Sequence, residues 1–392
     1  MRMRVAGWVV SCLIACAGFA EAGTTDILAL GPDGGGRLAD WSGTGFQGGA
    51  AFPTGQTPTR TFAGDVTITQ PQVLGSGTYW RCLPGAVIHI PVSLTQAAGP
   101  GTHGGTYGWT WDGAFFEIRD ADGVLIEDCT VQFDGANKYQ GHEGGERGYN
   151  AWGLYNAKNV YLKTTVLNAD NAVFLSGSGT HHNTVELTAA HPARTTYYTT
   201  GEKGHYGVKL AGGAHENLIR ATIDTRFFHD LSLTGNANLN VITGSGRDVN
   251  FDFHRTSTGA HHNLITDFDC GTCARVFASS GPYKDGYVNS GPGNVWWGVW
   301  PAAGGRVSAY PNVGDGRFDP AYVFIGHQDD KQTATKEWLE AIAHVDLTPQ
   351  NLYEYQRGAP APSPPPSGSA QAIAWLKAQG WTDAMVQAVV NP

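Results

Sequence analysis

Val208-Lys-Leu-Ala211, Leu231-Ser-Leu-Thr234 and Phe251-Asp-Phe-His254 each lead, through a glycine-rich or polar turn, to an asparagine and a second apolar run: Asn217-Leu-Ile-Arg220, Asn240-Val-Ile-Thr243 and Asn263-Leu-Ile-Thr266. The pattern extends backwards to Trp152-Gly-Leu-Tyr155 with Asn159, and to Val173-Phe-Leu-Ser176 with Asn183. The five asparagines are 24, 34, 23 and 23 residues apart, a period in the low twenties with one insertion. A unit that short cannot bury its own apolar face and must stack on copies of itself. Each unit reads strand, tight turn, strand, loop, with no helical period between the strands. The repeat therefore predicts an all-β fold, a parallel β-helix, rather than leucine-rich or helical repeats. Its coils would lie ~4.8 Å apart. The asparagines would form one column at a turn, where an Asn tolerates left-handed backbone and its amide bonds the neighbours above and below.

The composition fits such a solenoid. Glycine, at 54 of 392 residues, is about twice its usual share, whereas charged residues make up only 15% and aromatics reach 11%. A formal net charge of −9 argues against a nucleic-acid partner. The chain starts Met1-Arg-Met-Arg4, continues with an apolar run from Val5 to Ala20, and reads Ala20-Glu-Ala22 before Gly23. That is the three-part pattern of a signal peptide over residues 1–22, which predicts a secreted, extracellular protein with no membrane span. Four cysteines then remain, Cys82, Cys129, Cys270 and Cys273. In an oxidising compartment they predict two disulfides, most simply Cys82–Cys129 and Cys270–Cys273, although spacing alone does not fix the connectivity. Cys270-Gly-Thr-Cys273 has no second motif of its kind to complete a zinc site.

The β-helix domain is expected over 23–357. Trp41, Phe46 and Phe52 are available to plug its open end, and three long insertions (96–114, 134–148 and 191–205) would wall one side. Helical spacing at 332–344 predicts a closing helix, and 351–356 reads as an extended clasp. A proline-rich linker, 358–369, precedes an amphipathic tail, 370–392, that either docks another protein or packs back on the solenoid. The pairs Trp109/Trp111 and Trp296/Trp297 read either as sugar-stacking platforms or as end caps.

The coil pattern, the asparagine column and the long side loops over residues 60–300 resemble the pectin-lyase-like superfamily of secreted right-handed parallel β-helices. Phe251-Asp-Phe-His-Arg255, with Asn263, Gly271, Arg275 and Ser279-Ser-Gly281, also resembles a stretch of uncharacterised secreted β-helix proteins of that superfamily, in which a second histidine often stands at the place of Phe253. The resemblance implies a polysaccharide lyase, glycoside hydrolase, esterase or epimerase. The paired-Asp and Arg-x-Lys motifs of polygalacturonase-type hydrolases are absent, and Gly204-His-Tyr-Gly207 is only loosely similar to their Gly-His-Gly.

Alternation supplies the candidate site. If Leu210, Leu233 and Phe253 point inward, Lys209, Ser232 and Asp252 share one outward column and Ala211, Thr234 and His254 the next. Asp230 lies one step along, with His229, Arg255 and Arg275 near the edges. This set has the parts for β-elimination on an acidic sugar: Lys209 or His254 as base, and Arg255 or Arg275 against the developing charge. Asp230 with Asp252 would orient the bases or hold a calcium ion, the one cofactor this set suggests. His229, Arg275, Trp109 and Trp111 would bind the polysaccharide. Three readings compete with this one. Asp252–Arg275 and Lys209–Asp230 would be structural ion pairs; two of Asp230, Asp252, Asp267 and Asp269 would serve a hydrolase at a separation of about 5–9.5 Å; or the solenoid is a non-catalytic glycan-binding adhesin. His181-His182 and His261-His262, with His215 between, suggest a metal column broken at Asn238-Leu239, and so stacked turn histidines.

Overall fold

The computed structural model describes residues 23–91, 114–134, 150–191, 202–254, 259–277, 289–302, 304–307, 311, 318–326 and 337–358. The signal segment, most of the three insertions, Trp109, Trp111, Arg255, the linker beyond Gly358 and the tail lie outside the described residues.

The apolar alternation builds strands, and among the described residues these fall into two large sheets of thirteen and seven, with a short pair joining Gly23–Thr24 to Leu347–Thr348. The chain alternates between the large sheets. Asn171–Ser176, Gly204–Ala211, Phe227–Leu233 and Phe251–Phe253 enter the smaller one, and Thr184–Ala190, Leu218–Ile223, Val241–Gly246 and Leu264–Asp269 the larger. Neighbouring strands along this stretch pair in parallel, each with the strand one pass later. This architecture is compatible with a parallel β-helix. The inward side chains form one continuous core, in which Ile219, Ile242, Ile265, Trp296, Phe324 and Leu339 fall at successive register positions. Cys82 and Cys129, and Cys270 and Cys273, lie at disulfide distance.

An asparagine ladder pins the passes together, with its first rung displaced from the expected place. Asn183, Asn217, Asn240, Asn263 and Asn294 are all fully buried. The side-chain amide of Asn240 donates to Asn263 Oδ1 at 3.0 Å and its own oxygen accepts from Asn217 Nδ2 at 3.0 Å; the remaining rungs repeat this. Asn159 is not a rung. It stands one residue earlier in its turn, at φ 53°, where His182, Glu216, Leu239 and His262 take the same left-handed conformation in later passes. Val160 holds the first ladder place and gives its N–H to Asn183 Oδ1. The spacing of 24 therefore conceals a regular 23, counted from Val160. The ladder asparagines do not themselves adopt the left-handed geometry; the residue before each one does.

Both ends of the described chain cross the outside of the larger sheet. A second register column there, Leu218, Val241, Leu264, Val295 and Val323, points away from the core and is nevertheless buried. It is covered by Ile27, Leu38 and Trp41 from the N-terminal segment, and by Leu347, Leu352 and Tyr353 from the C-terminal one. Trp41 Nε1 donates to His262 O at 2.9 Å, Gly45 N to Glu216 O at 2.9 Å and Phe46 N to Thr184 Oγ1 at 2.9 Å. Phe46 and Phe52 pack on Tyr161, and Phe52 also on Tyr79. The three aromatics thus strap the flank of the sheet rather than plug an end.

The C-terminal expectations also change. Trp338–Glu340 is a strand, not part of a helix, because its neighbours are needed on opposite faces: Leu339 in the core, Trp338 under the strap. Residues 332–336 of the expected helix lie outside the described ones. Leu352–Gln356 is a short helix capped by the Asn351 side chain, not an extended run, and it still clasps the strap, with Gln356 Oε1 accepting from Trp41 N at 3.0 Å. Trp296 and Trp297 are both fully buried, one on each side of the sheet, so neither is a sugar platform.

Candidate functional site

The smaller sheet gathers titratable side chains on its outward face. In Phe251–Phe253 the two phenylalanines enter the core, which turns Asp252 the other way. The same alternation at Leu231/Leu233 and Val208/Leu210 turns out Ser232 and Lys209. The register then aligns them, Lys209 with Ser232 and Ser232 with Asp252. Ser232 Oγ donates to Asp252 Oδ2 at 3.1 Å.

Two imidazoles converge on the same carboxylate oxygen. His229 Nδ1 lies 3.1 Å from Asp252 Oδ2, and His254 Nδ1 lies 3.4 Å from it. Strict alternation would place His229 on the side of Phe227 and Leu231, both core residues. The chain is drawn back there, because Asp230 Oδ1 accepts from Phe227 N at 2.8 Å while Asp230 N donates to Asn250 Oδ1 at 2.7 Å. Gly207 permits this close approach: a Cβ at that position would overlap the carbonyl oxygen of Asp230. Burial opposes the charge of Asp252, but the two imidazoles and their hydrogen bonds outweigh it and hold the carboxyl well below the usual range. Burial lowers His229 in turn, with Asp252 pulling the other way. The consistent state is an ionised Asp252 accepting Nδ1–H from both rings. His229 and Asp252 are buried, whereas the His254 side chain is 34% exposed.

Lys209 lies beside this cluster, its Nζ 4.5 Å from the centre of the Tyr206 ring and 5.7 Å from that of Phe174. Tyr206 is in register with His229 and stacks on it at 4.8 Å, and His205 packs against both.

Asp230 and Arg275 belong to a second network. Arg275 Nη2 pairs with Asp230 Oδ2 at 2.9 Å and its Nε with Asp248 Oδ2 at 3.1 Å, and the same guanidinium donates to Asp248 O and Phe227 O. Arg226 reaches Glu202 at 3.4 Å and Asp248 at 3.6 Å. Burial pushes the Asp230 carboxyl up to about 7 against the pull of Arg275 and two backbone N–H groups. The structure thus brings together Lys209, His229, Asp252 and His254, and couples Asp230 to Arg275. The pairings found among the described residues differ from Asp252–Arg275 and Lys209–Asp230. Asp267 and Asp269 fall on the larger sheet, where Asp267 Oδ1 lies 3.0 Å from His344 Nε2, so a hydrolase pairing either of them with Asp230 or Asp252 would need carboxylates from two sheets.

Glu202, Arg226 and Asp248 are not singled out by the sequence, and His205 and Tyr206 enter there only within Gly204-His-Tyr-Gly207. Tyr206 and His229 are 23 residues apart, the ladder period, and that signal was available. The charges of the second network sit near strand starts and turns, where alternation is no guide.

The turn histidines form no metal column. His181 stacks on His215 at 5.0 Å, and within each pair His181–His182 and His261–His262 the two Nδ1 atoms lie at hydrogen-bond distance, 2.7 and 2.8 Å. Among the described residues, the only set of three or more His, Cys, Asp or Glu side chains converging closely enough to hold a metal is His229, Asp252 and His254. A polar hollow on the larger sheet, lined by Asp128, Lys163, Glu186 and Arg220, has its charges already paired, Lys163–Asp128 at 2.8 Å and Arg220–Glu186 at 3.2 Å. Among the described residues, no helix is long and apolar enough to cross a membrane.

Comparison with protein-family models, with curated proteins and with solved structures found no match.

Proposed function

We propose that this chain is a secreted enzyme with a right-handed parallel β-helix fold of the pectin-lyase-like kind, and that it cleaves a uronic-acid-containing polysaccharide by β-elimination. The observation that carries the reading is the convergence, on one face of the smaller sheet, of a partly exposed imidazole oriented by a buried carboxylate with a lysine aligned two passes away.

Elimination needs a base for the proton next to the sugar carboxylate, a cation against the charge that develops, and a proton for the leaving oxygen. With Nδ1–H of His254 held by Asp252, Nε2 carries the lone pair and is the base. It takes the C5 proton of the uronate, the freed electron pair forms the C4–C5 double bond, and the C4–O bond breaks. The imidazolium returns its proton to the leaving oxygen. Lys209 faces the carboxylate charge. His229 and Ser232 hold Asp252, and the Asp230–Arg275 pair fixes the strand beneath as a positioning element. The signal-peptide pattern and the two cysteine pairs support action outside the cell.

Incubation with a panel of acidic glycans tests this. Ultraviolet absorbance of an unsaturated product is expected from at least one uronate-containing member. Reducing ends without that absorbance would move the assignment to a hydrolase, and retention of glycan with neither product would make the chain a binding solenoid.

A further inference from the structure

His229, Asp252 and His254 have a second capacity. The Nδ1 atoms of both rings lie 3.1 and 3.4 Å from one oxygen of Asp252, and one donor atom from each of the three residues lies within 4.8 Å of the other two. An ion bonded tetrahedrally at ~2.0–2.2 Å to two imidazole nitrogens and a carboxylate oxygen holds its donors about 3.3–3.6 Å apart, close to the two nitrogen–oxygen distances here. The site is built into the fold: Asp252 is fixed between two core phenylalanines, His229 is packed between Tyr206 and His254, and Ser232 bonds the shared oxygen. His254 alone faces outward and gives an ion a way in. We propose that these three residues bind a divalent ion of the zinc class, and that the bound ion switches the proposed elimination off.

The donor set selects the ion. Calcium takes six to eight oxygens and gains little from imidazole, whereas two nitrogens and one carboxylate suit zinc and its first-row neighbours. That replaces the calcium site suggested by Asp230 with Asp252, since Asp230 is committed to Arg275. Three protein donors leave a coordination position open to solvent.

The switch follows from the two nitrogens of His254. Without metal, Nδ1 carries the proton and donates to Asp252, which leaves Nε2 unprotonated and able to accept the C5 proton. A metal on Nδ1 displaces that proton, and the neutral ring then carries hydrogen on Nε2. The outward nitrogen changes from acceptor to donor, and the base is lost. Metal binding itself is independent of the elimination reading; its effect on rate rests on that reading.

The test is a calorimetric titration of the full-length, metal-stripped protein with zinc chloride and, separately, calcium chloride. One zinc per chain is expected, with no saturable calcium binding at the site. Loss of an outer partner of a metal ligand typically costs about 10–100-fold in affinity. Removal of a ligand in Asp252→Asn or His254→Ala should therefore exceed about 100-fold, while Lys209→Ala, which removes a neighbouring positive charge and no ligand, does not weaken zinc binding. His254→Ala serves if Asp252→Asn fails to fold, because its side chain is partly exposed. Cobalt substitution gives a readout besides binding heat, a visible d–d absorption that the His254 variant lacks. On any glycan that yields unsaturated product, zinc should suppress the rate in step with occupancy, and a chelator should restore it. No zinc binding, or binding unaffected by both ligand variants, overturns the site. Zinc bound with the rate unchanged or raised overturns the switch. Stoichiometric zinc with no elimination under any condition would sink the functional reading and leave the metal site standing.

Discussion

The outer faces of the two large sheets carry opposite chemistry. On the larger sheet the outward column Leu218, Val241, Leu264, Val295 and Val323 is apolar and lies beneath segments from both ends of the described chain. On the smaller sheet the outward column Lys209, Ser232 and Asp252 is polar and accompanied by two histidines, one of them a partly exposed imidazole. The same two-residue alternation produces both. What differs is which residue types fill the outward positions, so one face requires a cover to be stable and the other can do chemistry.

The largest predicted effects fall on the polar face. General bases contribute about 10²–10⁴-fold to rate, so His254→Gln should lower kcat for elimination by that range with its melting temperature nearly unchanged. An equal loss of thermal stability would mean that the polar face is structural and erase the contrast. On the covered face, Trp41→Ala removes a fully buried indole and its bond to His262 O. It should cost about 3–5 kcal/mol, read by chemical denaturation, with the initial rate preserved below the melting point. Asn240→Ala tests the ladder that both faces share. It strands polar groups of Asn217 and Asn263 in the interior, at about 1–3 kcal/mol each, and should shift both stability and rate.

A pH effect sharpens the contrast further. Burial pushes the Tyr353 hydroxyl, which donates to Thr44 O at 2.7 Å, up to about 12. Folding therefore favours the neutral phenol. Its contribution is complete below the ordinary value of about 10 and is lost as pH rises through 12. Tyr353→Phe should lose about 1 kcal/mol at neutral pH and flatten the alkaline fall, measured as denaturation midpoints across that window.

The repeat was readable because ladder asparagines and alternating core residues recur at a fixed spacing, and the two sheets follow from it. The one-residue offset at Asn159 was hidden because an asparagine is equally at home at a left-handed turn position and at a buried rung. Trp296, Trp297 and Trp338 were misread for one reason. A strand buried on both sides loses its polar alternation, and nothing local reveals that residues 25–52 return to cover the outside. At the site, alternation places Lys209, Ser232 and Asp252, residues flanked by core side chains. It misplaces His229, which stands where the strand departs from strict alternation and the Asp230 carboxylate accepts from Phe227 N and Asn250 N, one close in sequence and the other a full pass away.

The most direct test sets one residue from each face against the other. His254→Gln and Trp41→Ala are assayed side by side for unsaturated product from a uronate glycan and for denaturation midpoint. The expected result is a crossed pattern: the histidine variant keeps its midpoint and loses product, and the tryptophan variant keeps its initial rate and loses midpoint. Undiminished product formation by His254→Gln would contradict the account.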